Sequence, residues 1–128
     1  MPAYAGTVSA LNQANKNCFL PAAKRRDLTV ELADMDRQGV ARSVLFPTFG
    51  LMFAGLERSD VQAALCRAYN DWLHEFCGTD RARLVGVAVV PQHDVAGALA
   101  EARRCVRELG FRGVMMRPNP IRGRGLDS

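Results

Sequence analysis

The chain has 128 residues, 48% of them hydrophobic and 23% charged, which fits a single globular domain and excludes a disordered or fibrous polymer. Its net charge of +4 comes from Lys16, Lys24, Arg25 and Arg26, because residues 1–26 hold no acid and the rest balance thirteen bases against thirteen acids. A neutral body behind a short basic lead-in argues against nucleic-acid binding, which would lay its charge along one element.

The lead-in, residues 1–26, shows no sustained period and reads as irregular. It lacks the charged start and apolar run of a secretory signal. Elsewhere the longest apolar stretch, Leu84 to Val90, is far short of the ~20 residues that span a bilayer, so a cytoplasmic protein without a membrane partner is expected. The four cysteines, Cys18, Cys66, Cys77 and Cys105, are too dispersed for a metal knuckle or a redox pair. Cys66 and Cys77 fall on one predicted helix about 16 Å apart, too far for a bridge.

After residue 26 the periodicities become regular, and residues 27–128 read as one βα segment. Leu28, Leu32 and Met35 recur at helical spacing, and Gly39 sits where a left-handed residue would end the helix. Val44-Leu45-Phe46 forms the centre of a buried strand within Ala41 to Pro47. Ser59-Asp60-Val61-Gln62 has the form of a capping box. The helix it would open repeats Val61, Ala64, Leu65, Ala68, Tyr69, Trp72, Leu73 and Phe76 on one face, up to Gly78.

Leu84 to Pro91 is almost wholly apolar, as a strand covered on both faces requires. Asp94 is placed to cap a third helix, with Val95, Ala98, Leu99, Ala102, Val106 and Leu109 on one side and Gly110 at its end. Val114-Met115-Met116 supplies a third strand. The expected fold class is therefore α/β, with three parallel strands alternating with helices.

In such folds chemistry collects at the carboxyl ends of the strands. Here those ends carry Pro47-Thr48-Phe49-Gly50, Pro91-Gln92-His93 and Arg117-Pro118-Asn119. The Arg117 guanidinium either grips a carboxylate or phosphate bidentately or fixes the following loop through a salt bridge or backbone contact, and Asn119 shares that ambiguity. Thr48 has no base beside it and Gln92 is a polar neighbour, so Arg117, Asn119, Thr48 and Gln92 are candidate substrate-binding residues and no catalytic residue is assigned.

His74 projects from the polar side of its helix and reads as a surface residue. His93, next to Asp94, reads either as part of a turn with a helix cap or as a functional side chain. Asn70 and Asp71 lie in mid-helix and are expected to bond to a neighbouring loop. Neither a phosphate loop, a dinucleotide-binding glycine pattern nor a nucleophile elbow occurs.

Several segments together carry a resemblance: Asp34 to Val40, Ser43 to Thr48, Arg67 to Leu73, Gly86 to Ala88, and Leu109 to Val114 with Arg117 to Pro120. In this order they resemble the amidohydrolase-related proteins of the aminocarboxymuconate-semialdehyde decarboxylase-like branch, from about Arg26 onward. The resemblance implies part of a (β/α)8 TIM-type barrel, about its second to fourth βα units. It also implies a divalent metal such as zinc in the full-length family, serving hydrolysis or non-oxidative decarboxylation of a small carboxylated substrate.

The family's metal ligands sit in a His-x-His pair after the first strand, in later histidines and in a final aspartate. None of those positions exists in this sequence, and His74 and His93 form no such pair, so no metal ligand is carried over. The chain is then expected to be inactive alone and to depend on a homo-oligomer or a missing barrel portion. The alternative is a small non-catalytic α/β binding or assembly module.

Overall fold

A computed structural model describes residues 28–48, 50–120 and 123. The basic lead-in, Cys18 and the terminal Arg122 and Arg124 lie outside the described residues. Two compact units divide at Gly39, the first ending there and the second running from Val40.

In the first unit, α1 spans Leu28–Gln38. Met35 is buried while Leu28 and Leu32 are half-buried, the apolar stripe expected from their spacing. Asp34 pairs with Arg37 one turn on. Gly39 ends the helix at φ +69°, in the left-handed region that an L side chain enters only at a cost.

The second unit is built on a sheet of three parallel strands in the order β1 (Ser43–Leu45), β2 (Leu84–Val89), β3 (Gly113–Met115). Between them run α2 (Gly50–Phe53), α3 (Ser59–Cys77) and α4 (Val95–Arg107). The register pairs Val44 with Val85 and Ala88 with Val114. The central strand is covered on both sides, as its unbroken apolar run requires, with Leu84, Val87, Ala88 and Val89 all buried. The edge strand β1 is not: Val44 and Phe46, two residues apart on one face, are 53% and 62% exposed.

At Gly86 the sheet is closely approached by Phe111 and by Leu73 of α3. A Cβ there would stand 2.8 Å from a Phe111 ring carbon and 3.0 Å from Leu73 Cδ2. Both neighbours are fully packed, so Gly86→Ala is expected to destabilise by about 1–3 kcal/mol through overpacking. A urea titration showing no shift of midpoint would contradict this packing.

The sequence places the three longer helices correctly, passes over α2, and turns α3 and α4 wrongly. On α3 the buried residues are Gln62, Cys66, Asn70, Leu73 and Cys77, while Val61, Leu65 and Trp72 are exposed. On α4 Glu101 and Cys105 are buried, and Val95, Leu99 and Val106 are exposed. The sheet is met by a mixed polar stripe in each helix. The larger apolar side chains lie to one side, where Phe53, Tyr69, Trp72 and Phe76 form a chain of ring contacts with centroids 6.4, 5.5 and 5.3 Å apart.

Two local expectations fare differently. Asp94 does cap α4, its Oδ1 accepting from Ala96 N at 3.1 Å, and Gly110 follows the helix at φ +72°. The capping box at Ser59 does not form: the cap position is Arg58, without a side-chain bond, and Ser59 is already helical. Gln62 is drawn away because its amide meets two backbone groups outside the helix.

Candidate functional site at the strand ends

At the carboxyl ends of β2 and β3, side-chain amides do what a neighbouring strand would otherwise do for the backbone. Asn70, wholly buried on α3, brackets the last residue of β2: its Oδ1 accepts from Val89 N at 2.9 Å and its Nδ2 donates to Val89 O at 2.8 Å. Gln92 brackets Arg117 in the same way, accepting from Arg117 N at 2.8 Å and donating to Arg117 O at 3.1 Å. Gln62 joins two segments, donating to Phe53 O at 2.8 Å and accepting from His93 N at 3.2 Å. A buried backbone group without a partner costs as much as a lost hydrogen bond, and these three amides supply the partners.

Behind Asn70 lies an ionic cluster. Its Nδ2 also donates to Glu101 Oε1 at 2.9 Å, and Arg104 donates to both Glu101 oxygens, at 2.6 and 2.9 Å, and to Asp71 Oδ1 at 2.7 Å. Burial opposes the charge on Glu101, but the bonds from Arg104 and Asn70 outweigh it and hold the carboxyl below its ordinary pKa. Cys66 and Cys105 are fully buried. Burial, reinforced by the nearby Glu101 charge, pushes both thiols up to about 12, so they are protonated and poor nucleophiles.

In front of the strand ends a cleft of about 280 Å³ is lined by residues 54–57 together with His93, Arg117, Asn119 and Pro120. Arg117 and Asn119 thus meet, as two of the four candidates. Gln92 lies behind them as the bracket on Arg117. Thr48 stands apart, exposed, its amide donating to Phe46 O at 2.9 Å. The Arg117 guanidinium donates through Nη1 to Leu51 O at 3.0 Å, a backbone contact that leaves its other N–H groups for a ligand.

Both histidines are engaged. His74 is half-buried and no free surface residue: Nδ1 bonds Leu109 O at 2.9 Å and Nε2 meets Arg81 at 3.0 Å. A carbonyl can only accept, so Nδ1 carries the proton and Nε2 accepts from the guanidinium. On the same logic His93 donates through Nε2 to Ala54 O at 2.9 Å, and its buried Nδ1 has no partner among the described residues. The sequence signals missed Gln62 and the short α2, since four residues are too few to show a period and a helical glutamine looks like any solvated one.

Among the described residues no group of three or more His, Cys, Asp or Glu side chains converges as a metal ion would need. Nor, among them, is any helix long and apolar enough to cross a membrane.

The amidohydrolase family model matches residues 20–128. The chain is 25% identical over 115 residues to the 2-amino-3-carboxymuconate-6-semialdehyde decarboxylase of Dictyostelium discoideum, a match covering 90% of this chain and 30% of that protein. Among solved structures it is similar to the 5-carboxyvanillate decarboxylase of Novosphingobium aromaticivorans, which was determined with manganese bound. There the identity is 31% and the TM-score 0.67, over 76% of this chain and 27% of that one. A 2,6-dihydroxybenzoate decarboxylase from Rhizobium gives 28% identity and a TM-score of 0.60, over 66% and 26% of the two chains.

The chain therefore spans about a third or less of the length of these relatives. The manganese of the relative finds no matching set of ligands among the residues described here. With its three parallel strands and intervening helices, which match a fraction of the TIM barrel of the decarboxylases above, the chain belongs to the amidohydrolase family.

Proposed function

We propose that this chain supplies one substrate-facing sector of an amidohydrolase-family carboxy-lyase, and that it does not catalyse decarboxylation by itself. The observation that carries the reading is the cleft at the ends of β2 and β3, with Arg117 held there by Gln92 and accompanied by Asn119. A guanidinium with unused N–H groups at a strand end suits a small carboxylated substrate, and Asn119 suits a hydroxyl or carbonyl beside that carboxylate. Thr48, outside the cleft lining, is the least supported of the candidates.

The wider family resemblance brings in a divalent cation as the Lewis acid of the complete enzyme. In the residues described here nothing fits it, so its ligands belong to other barrel units, whether in the same polypeptide or a partner subunit. A cytoplasmic setting suits three buried thiols kept free.

The test is to purify the 128-residue chain in manganese-containing buffer, measure bound metal by mass spectrometry, and follow CO2 release from 2,6-dihydroxybenzoate and 5-carboxyvanillate. The expected result is substoichiometric metal and no CO2 above background, with weak saturable binding of either acid. Stoichiometric manganese with turnover would overturn the inactivity. Absence of binding would remove the substrate-facing role and leave a non-catalytic module.

A further inference from the structure

The segment Gly50 to Glu57 is a strap bonded to the stretches that follow β2 and β3 and to α3. Three of its carbonyls are held by three side chains from three different places in the fold. Leu51 O takes Arg117 from beyond β3 at 3.0 Å, Phe53 O takes Gln62 from α3 at 2.8 Å, and Ala54 O takes His93 from beyond β2 at 2.9 Å. Leu51 and Met52 are exposed, and Phe53 packs the edge of its half-buried ring against Tyr69. The anchored end is Gly50, where a Cβ would stand 2.8 Å from Pro47 Cβ and 3.1 Å from a Val89 methyl.

Two of the three pins, Arg117 and His93, also line the cleft that the strap borders. The strap is thus held by polar bonds that an occupant of the cleft can contest.

We propose that Gly50–Glu57 is a latch at the edge of the cleft, and that a carboxylate gripping the free N–H groups of Arg117 draws the guanidinium away from the Leu51 carbonyl and so releases the strap. A carboxylate is the stronger acceptor, because its hydrogen bond to a guanidinium is charge-assisted and can be bidentate. Anion binding and strap opening are then linked, each favouring the other. The inference rests on the reading of the cleft as a carboxylate site and adds its regulation.

The strap reports its own state through two amides, Gly55 N bonded to Met52 O and Leu56 N bonded to Phe53 O, each at 3.1 Å. Exchange of these amides with solvent would be measured by NMR on the full chain, with the amides of Asn70 and Leu73 as internal reference. Arg117→Met is expected to speed exchange at Gly55 and Leu56 by about three- to tenfold, the loss of one hydrogen bond, without changing the reference. Arg117→Lys, which keeps a donor, should lie between the two.

Sodium benzoate as the probe carboxylate should speed the same two amides in the native chain in a saturable way, and do nothing to them in Arg117→Met. Unchanged exchange in Arg117→Met, or a uniform rise that includes the reference, would overturn the latch. Benzoate that binds, seen as saturable shifts at Asn119, without moving the strap overturns the competition alone. Benzoate that does not bind at all overturns the carboxylate reading of the cleft, and the latch mechanism with it.

Discussion

Replacing Asn70 by Leu is expected to cost about 3–5 kcal/mol, a large share of the ~5–15 kcal/mol that folded domains possess. The side chains are close in size, so the loss is not one of volume. Asn70 satisfies both backbone groups of Val89 and one oxygen of Glu101, and leucine satisfies none of them. Each buried group left unpaired carries a penalty of about 1–3 kcal/mol, and Asn70 is 0% exposed, so solvent does not reach its side chain.

Urea denaturation followed by circular dichroism is the measurement. The midpoint should fall by more than about 1 M, or the transition should lose cooperativity. Asn70→Asp is a useful contrast, because it keeps the acceptor for Val89 N but turns both donated bonds into repulsions with Val89 O and Glu101. It should be no more stable than the leucine variant at neutral pH. A leucine variant within about 1 kcal/mol of the parent would mean that the amide bracket does not hold the end of β2.

The importance of Asn70 exposes the limit of what the sequence alone conveys. Element order was legible because each element carries its own period or punctuation: the doubly covered run of β2, the glycines at 39 and 110, the cap at Asp94. The inward faces of α3 and α4 were not. Hydrophobic periodicity finds the stripe richest in apolar atoms, and on α3 that stripe runs through Val61, Leu65 and Trp72, all exposed in the isolated chain.

The stripe that meets the sheet is chosen by a different need. Parallel strands that stop at a loop leave backbone groups unpaired at their ends, and Asn70 and Gln62 are polar because they answer those groups. A sequence scan reads such residues as solvated. The same confusion made Ser59 to Gln62 look like a capping box.

The candidate site was legible to a similar degree. The rule that chemistry gathers at strand carboxyl ends located Arg117 and Asn119, and it named His93 without deciding its role. It could not show that Gln92 is committed to the Arg117 backbone, nor that the Leu51–Ala54 carbonyls converge on the same place. Those facts depend on contacts between residues 25 to 66 positions apart.

Glu101→Gln is expected to destabilise the chain at neutral pH by about 1.5–3 kcal/mol, the range for hydrogen bonds to a charged partner, and to flatten its acid limb. Glu101 is 7% exposed and receives two bonds from Arg104 and one from Asn70. Glutamine keeps the shape but presents an NH2 where Arg104 also brings donors, so one of those bonds becomes a donor-to-donor contact. Arg104, itself largely buried, then keeps Asp71 as its charged partner among the described residues.

The pH dependence follows from the direction of the Glu101 shift. Its folded-state pKa lies below the ordinary value, so the stability it contributes is complete above the unfolded pKa of about 4.3 and is lost as pH falls through the lower folded value. Glutamine does not titrate. The stability gap between parent and variant should therefore be constant above about pH 5 and close as the medium becomes more acidic than about pH 4, when measured by denaturant titration across that range. A gap that stays constant into strong acid would mean that the Glu101 charge contributes nothing, and a gap that widens would reverse the sign of the linkage.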